Sequence, residues 1–237
     1  MIRARAAIAL ACACSVHAAA QSPTADLAQA TRLVIEGTNA LRHTQGLESV
    51  RAEPRLARAA GEFAEYMART GKYGHEADGR DPTQRALAQR YDYCLVLENI
   101  AYHYNSLGFR TAELAKHLVD GWRDSPPHRR NMLNAGVTDI GVGVARAANG
   151  YYYGVQMLGL PRSASVKFEV RNESRRTVRY RLGEDEREVP ARSIRTHEIC
   201  LRETLRFEGL AGGEAATPRS GDRFVIGARG DRVTLQH

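Results

Sequence analysis

Trp122-Arg123-Asp124-Ser125-Pro126-Pro127-His128-Arg129-Arg130-Asn131-Met132-Leu133 is the stretch whose reading decides the fold. It runs off the end of an amphipathic helix, breaks at Ser-Pro-Pro and enters a second, short helix beside a histidine. Ser125 is placed to cap that helix, and Pro126 suits its first turn, where no backbone donor is needed. His128 then stands at a rigid corner near open backbone amides, which makes it a candidate site residue. Two neighbouring runs give the stretch its weight: Leu97-Glu98-Asn99-Ile100-Ala101 upstream and Asp139-Ile140-Gly141-Val142-Gly143-Val144 downstream.

Moving upstream, Leu27, Ala30, Val34 and Leu41 recur at helical spacing after a Ser22-Pro23 start signal, and Gly46 marks the stop. Pro54 opens a second helix with Leu56, Ala60, Phe63 and Met67 on one face, and Gly71 follows its end. A loop holding Gly74-His75-Glu76-Ala77-Asp78-Gly79 leads to a short helix over 83–90. From Thr111 a longer helix turns Leu114, Leu118, Gly121 and Trp122 inward. Downstream the period switches to two. Ile140, Val142 and Val144 alternate, Asn149-Gly150 supplies a turn, and Tyr151, Tyr153, Val155 and Met157 alternate again. Helices on either side of strands that must pair predict a three-layer α/β/α sandwich over residues 22–160. From Pro161 onward only short alternating runs appear, such as Val166, Phe168 and Val170 or Val178, Tyr180 and Leu182, punctuated by glycines. Residues 161–237 therefore predict a small all-β domain.

The first twenty residues have the layout of a secretory leader: Arg3 and Arg5, an apolar run from Ala6 to Val16, then Ala18-Ala19-Ala20. The run is too short to span a bilayer, and no later stretch is long and apolar enough, so the mature chain is not expected to be transmembrane. Cys12 and Cys14 leave open a lipid-anchored form. Export to the periplasm or the extracellular space is the main expectation. It makes the two remaining cysteines, Cys94 and Cys200, a disulfide candidate, with two separately buried thiols as the alternative.

The chain has 34 Lys and Arg against 27 Asp and Glu, a formal net charge of +7. Such a surface can meet nucleic acid, anionic lipid or an acidic envelope polymer. The arginines are spread along the whole chain without an aromatic-basic motif, so no specific nucleic-acid partner is expected. There is no Gly-x-Ser-x-Gly elbow, no His-Glu-x-x-His helix and no phosphate-cradling glycine loop.

Asn39-Ala40-Leu41-Arg42, the His75 loop, Leu97 to Ala101 and Trp122 to Leu133 follow one another in order. The Gly141-Val142-Gly143 strand and Tyr152-Tyr153-Gly154-Val155-Gln156 complete the series. Together, over residues 27–160, they resemble the CAP superfamily of cysteine-rich secretory, antigen 5 and pathogenesis-related proteins, in its bacterial SCP-like branch. The resemblance implies a cleft lined by two histidines and two acids. Position by position it implies His75 as the first histidine, Glu98 as an acid and His128 as the second histidine. Where animal and plant members place the second acid, this chain has Ser125. Leu97 stands where a glycine normally precedes the Glu-Asn pair. The C-terminal residues carry no such resemblance.

Three readings of His75, Glu98 and His128 stay open. Two neutral imidazoles and a carboxylate can ligate Zn²⁺ or Mg²⁺ with a position left for water, although no cofactor is required by the sequence. The same groups can act as general acid and base, giving a metal-assisted or metal-free peptidase or esterase on an envelope or extracellular substrate. Or they form a hydrogen-bonded structural network. A binding or interaction module whose cleft, with Ser125 on its rim, takes a divalent metal or a small lipid-like ligand is the leading functional expectation. A lipid or envelope component is the expected partner. Asn39, Arg42, Asn99, Trp122 and Asn131 read as structural. Arg129, Arg130 and Asn131 can instead hold an anion at a helix start. Tyr91, Tyr93, Tyr102, Tyr104 and Tyr151 to Tyr153 either line a carbohydrate or lipid groove or cover the sandwich edges.

Overall fold

The computed structural model describes residues 24–236. The expected leader over residues 1–20, with Cys12 and Cys14, lies outside the described residues, as does the Ser22-Pro23 start signal. The first helix, α1 (Leu27–Thr44), begins instead under Asp26, whose carboxylate accepts from the Gln29 amide at 2.9 Å. After α1 come β1 (Arg51–Ala52), α2 (Pro54–Thr70), α3 (Pro82–Ala88) and β2 (Tyr93–Tyr104). Next are α4 (Thr111–Asp124), α5 (Pro126–Met132), β3 (Asp139–Arg146) and β4 (Tyr151–Pro161). The helix ends follow local chemistry. Asp81 and the Gln84 side chain cap α3 reciprocally, and Gly71 closes α2 in the left-handed region at φ +70°.

The strands form one sheet in the order β1-β3-β4-β2, with β3, β4 and β2 antiparallel. Helices cover both faces. One apolar cluster joins α1 and α4 to the sheet through Val34, Leu118, Trp122, Ile140 and Leu158. The other joins α2 through Leu56, Phe63, Met67, Ile100 and Val155. This is the expected α/β/α sandwich. The glycines of Gly141-Val142-Gly143 have a packing reason, because α2 lies directly on β3. A Cβ at Gly143 would sit 2.3 Å from the Ala60 carbonyl carbon, and one at Gly141 2.2 Å from the Ala57 nitrogen.

Beyond Pro161, a short 3-10 turn leads into β5 (Val166–Asn172), β6 (Val178–Leu182), β7 (Asp185–Val189) and β8 (Ile194–Ile199). β9 (Leu205–Arg206), β10 (Arg223–Ile226) and β11 (Val233–Gln236) complete the chain. They make two sheets, β11-β10-β5-β8 and β7-β6-β9, around a separate core that includes Phe168, Tyr180, Phe207 and Phe224. Cys94, at a register shift between Tyr93 and Leu95, is bonded to Cys200, with Cα atoms 5.2 Å apart. The disulfide ties the two parts together, and Cys94 holds no free thiol.

Candidate functional site at the edge of the sheet

β2 is an edge strand, and its alternation sends successive side chains to opposite faces. Glu98 therefore points toward α2 and α3, while Asn99 points toward α5. Between them they organise everything nearby.

On the Glu98 side the dominant partner is a residue that sequence reasoning missed. Arg85, on α3, directs Nη2 to both Glu98 oxygens at 2.9 and 2.7 Å and Nη1 to Asp78 at 2.8 Å. The same guanidinium donates to the backbone carbonyls of His75 and Arg80 at 2.7 and 2.6 Å, which holds the 74–81 loop. It also lies over the Phe63 ring at 3.7 Å. The Arg85 side chain is 2% exposed and that of Glu98 is 1%. Nothing in the sequence signals this. A buried arginine on a seven-residue helix has no periodicity to betray it.

His75 completes the cluster, its Nδ1 lying 2.8 Å from Glu98 Oε1. Glu98 already accepts from Arg85, so Nδ1 donates to it and Nε2 is the ring nitrogen turned away from the carboxylate. The His75 side chain is 49% exposed.

On the opposite face a buried amide relay carries α5. Asn131 donates to Asn99 Oδ1 at 2.8 Å and to the Glu98 carbonyl at 3.1 Å. Asn99 donates to Gln156 Oε1 at 2.8 Å and to the His128 carbonyl at 3.1 Å, and Gln156 donates to Thr38 on α1 at 2.9 Å. Arg42, buried on α1, grips the far end of α5 through the Met132 and Asn134 carbonyls at 2.8 and 2.9 Å. Asn39 exchanges two bonds with the backbone of Val50. Trp122 is fully buried beneath, with an indole N–H that has no partner among the described residues. Thus Asn99 and Asn131 anchor the backbone that bears His128. Burial, followed by the charge of His75, holds the His128 imidazole below its ordinary pKa.

One expectation needs correction and a second meets a constraint. Ser125 is at the N-cap of α5, but its side chain makes no capping bond. Pro127, at the second helical position, removes one of the two amides it could have accepted from, and the Pro-Pro pair also thins the supposed nest of donors beside His128. The second concerns the metal set. Among the described residues no group of three or more His, Cys, Asp or Glu side chains is arranged to hold a metal ion. For His75, Glu98 and His128 the reason is Arg85. Both Glu98 oxygens face a guanidinium, and a cation beside them would meet that charge. The residues therefore do not fit a site in which Glu98 is a direct ligand. What Glu98 does is hold and orient the His75 imidazole from behind.

A helix-sheathed sheet with His75 bonded to its edge strand on one face and the His128 backbone held on the other defines a class of proteins rather than an activity. The family model described as "Cysteine-rich secretory protein family" matches residues 35–158, and the chain belongs to this CAP family. Among curated relatives, the uncharacterized protein YkwD of Bacillus subtilis (strain 168) is 30% identical over 117 residues, covering 49% of this chain and 42% of that protein. The uncharacterized membrane protein YlbC of the same strain is 28% identical over 114 residues, covering 48% of this chain and 31% of that protein. The chain thus spans less than half the length of the curated relatives it matches. An outer surface protein from Borrelia burgdorferi shares the fold, with a TM-score of 0.50 and 19% identity over 56% of this chain and 93% of that structure. Among the described residues no helix is long and apolar enough to cross a membrane.

Proposed function

We propose that this chain is an exported binding module whose CAP domain takes a zinc ion between His75 and His128 at the edge of β2. The single observation that carries the reading is the 2.8 Å contact from His75 Nδ1 to a Glu98 carboxylate that Arg85 already holds. That contact fixes the tautomer and the ring orientation of an exposed imidazole, which is the arrangement behind ligating histidines generally. Imidazole nitrogen suits zinc and not magnesium, which demands oxygen donors. With two protein ligands the remaining positions fall to water or to a partner's own donor, so the ion would serve as a point of attachment. Glu98 is turned to Arg85 and His75 instead of facing a water, and the geometry lends the hydrolase alternative no separate support. Export is supported by the Cys94–Cys200 disulfide together with the leader-like first twenty residues.

The test is thermal unfolding with and without metal. Zinc at about a hundred times its Kd stabilises a single site by ~2.7 kcal/mol, a rise of roughly 5–10 °C for a chain of this size. The rise is expected in the wild type, absent in His75→Ala and His128→Ala, and absent with magnesium. Equal zinc responses in all three proteins, or none in the wild type, would overturn the reading.

A further inference from the structure

The face of β2 that carries Glu98 continues as an aromatic strip. Ile100, Tyr102 and Tyr104 follow Glu98 on the same side, and the cross-strand partners of the two tyrosines are Tyr153 and Tyr151. Tyr73, from the loop after α2, donates its hydroxyl to the Ile100 carbonyl at 3.1 Å and sets its ring edge-on to Tyr102 with centroids 4.9 Å apart. Tyr102 lies 5.8 Å from Tyr151, which lies 5.0 Å from Tyr104. The rings form an unbroken row. They are uncovered because α2 ends at Thr70 and Gly71 turns the chain away. Tyr73, Tyr102 and Tyr104 remain 46, 50 and 55% exposed.

The make-up of the row says what it can hold. A contiguous exposed aromatic patch is uncommon on a protein that has no use for it. Every ring here bears a hydroxyl, and only that of Tyr73 is bonded to the Ile100 carbonyl, so a dry contact with an acyl chain or a second apolar face would strand the others. The rings themselves are uncharged, although the exposed Lys72 directly precedes Tyr73. Arg146 lies over Tyr152, whose side chain points to the opposite face. Two carboxamides flank the row. Asn149 accepts from the Tyr151 amide at 3.3 Å and Asn105 from the Leu107 amide at 3.0 Å, each through Oδ1, which leaves the Nδ2 donors for a ligand. A Cβ at Gly150 would lie 3.3 Å from the Tyr104 ring, so the β3–β4 turn packs against that ring and brings Asn149 beside it. Aromatic faces with polar edges and neutral amide donors match a ligand that is itself apolar on its faces and hydroxylated around its rim.

We propose that Tyr73, Tyr102, Tyr104 and Tyr151 form a stacking platform for a neutral oligosaccharide, running from the His75 end of the site to the β3–β4 turn. The platform is independent of the zinc reading, because none of its groups ligates metal. Continuity supports one extended occupant: Tyr73 is two residues before His75, and its hydroxyl is bonded two residues after Glu98.

The probe is the soluble tetramer of N-acetylglucosamine, titrated by calorimetry into the full chain with EDTA present, so that failure of the zinc site leaves the result unaffected. Saturable binding is expected. The Tyr102→Ala/Tyr104→Ala double variant should weaken it about tenfold or more, as loss of two ring contacts implies. Tyr102→Phe/Tyr104→Phe, which keeps the rings, should stay within about threefold of wild type. Both positions are exposed, and unchanged thermal unfolding will show that the variants fold. Absence of binding, or equal affinity in the double alanine variant, overturns the proposal. So does tighter retention on phosphatidylcholine vesicles or a dimer in ultracentrifugation, if either is lost with the same tyrosines while the tetramer does not bind.

Discussion

Replacing Arg85 by methionine removes the charge at the centre of the site while keeping an aliphatic stem over Phe63. It leaves two carboxylates behind, Glu98 at 1% and Asp78 at 4% side-chain exposure, and strips a donor from the His75 and Arg80 carbonyls. Breaking a buried ion pair from one side costs ~3–5 kcal/mol, because the remaining charge loses its main countercharge away from water; here Glu98 keeps only the His75 contact, while Asp78 keeps Arg80 at 2.9 Å. Burial this deep leaves no solvent screening to discount it, and the orphaned carbonyls push toward the upper end. At roughly 2–4 °C per kcal/mol for a chain of this size, the unfolding midpoint should fall by roughly 6–20 °C. Trp122 is the only tryptophan and is fully buried in the CAP core, so its emission in a urea titration reports that domain alone. A second variant, Arg85→Met/Glu98→Gln, separates charge from packing. Glutamine still accepts from His75 but carries no charge, so part of the loss should return. If Arg85→Met costs under ~1 kcal/mol, or the double variant is worse than the single, the ion pair does not hold this site together.

Three further outcomes follow from particular contacts. His103, packed beside His117 and Gly121 on α4, has an Nε2 without a partner among the described residues, and burial first, then His117, lowers its pKa. The unfolded chain takes up that proton first on acidification, so stability should fall as pH drops below about 6.5 and level off only below the lowered folded value. A His103→Phe variant showing an undiminished loss between about pH 8 and pH 5.5 would contradict this. Reducing Cys94–Cys200, which spans 106 residues, should lower stability by ~4–5 kcal/mol, and identical urea midpoints with and without reductant would contradict the constraint. Gly143→Ala should cost about 3 kcal/mol or fail to fold, since its Cβ meets the α2 backbone at 2.3 Å. Gly61→Ala, which meets nothing within 4 Å, should stabilise α2 by about 1 kcal/mol; matched midpoints for the two variants would show that α2 does not lie against β3 as closely as described.

The parts legible in the sequence were those whose burial is one-sided. The α2 face of Leu56, Ala60, Phe63 and Met67 is fully buried, and the β3–β4 hairpin turns at Asn149-Gly150. β2 was not marked as a strand because helices cover both of its faces, so Leu97, Glu98, Asn99 and Ile100 show no polar-apolar alternation. β7 and β8 were missed for the converse reason. Each is exposed at most positions, with one buried residue at its end, so neither carries an apolar pattern to read.

By itself the sequence determined the helices that close around the sheet, the β-rich C-terminal part, and the identities of His75, Glu98 and His128. Those depend on local periodicity and on motif residues that stand in a fixed order along the chain. Only the tertiary structure decided what Glu98 is for. A carboxylate at the centre of a dry layer must find a countercharge, and proximity in the fold supplied Arg85, 13 positions away on another element. That choice turns Glu98 from a prospective ligand into the support behind His75. It leaves the two imidazoles, and the tyrosine row beside them, as the surface open to a partner.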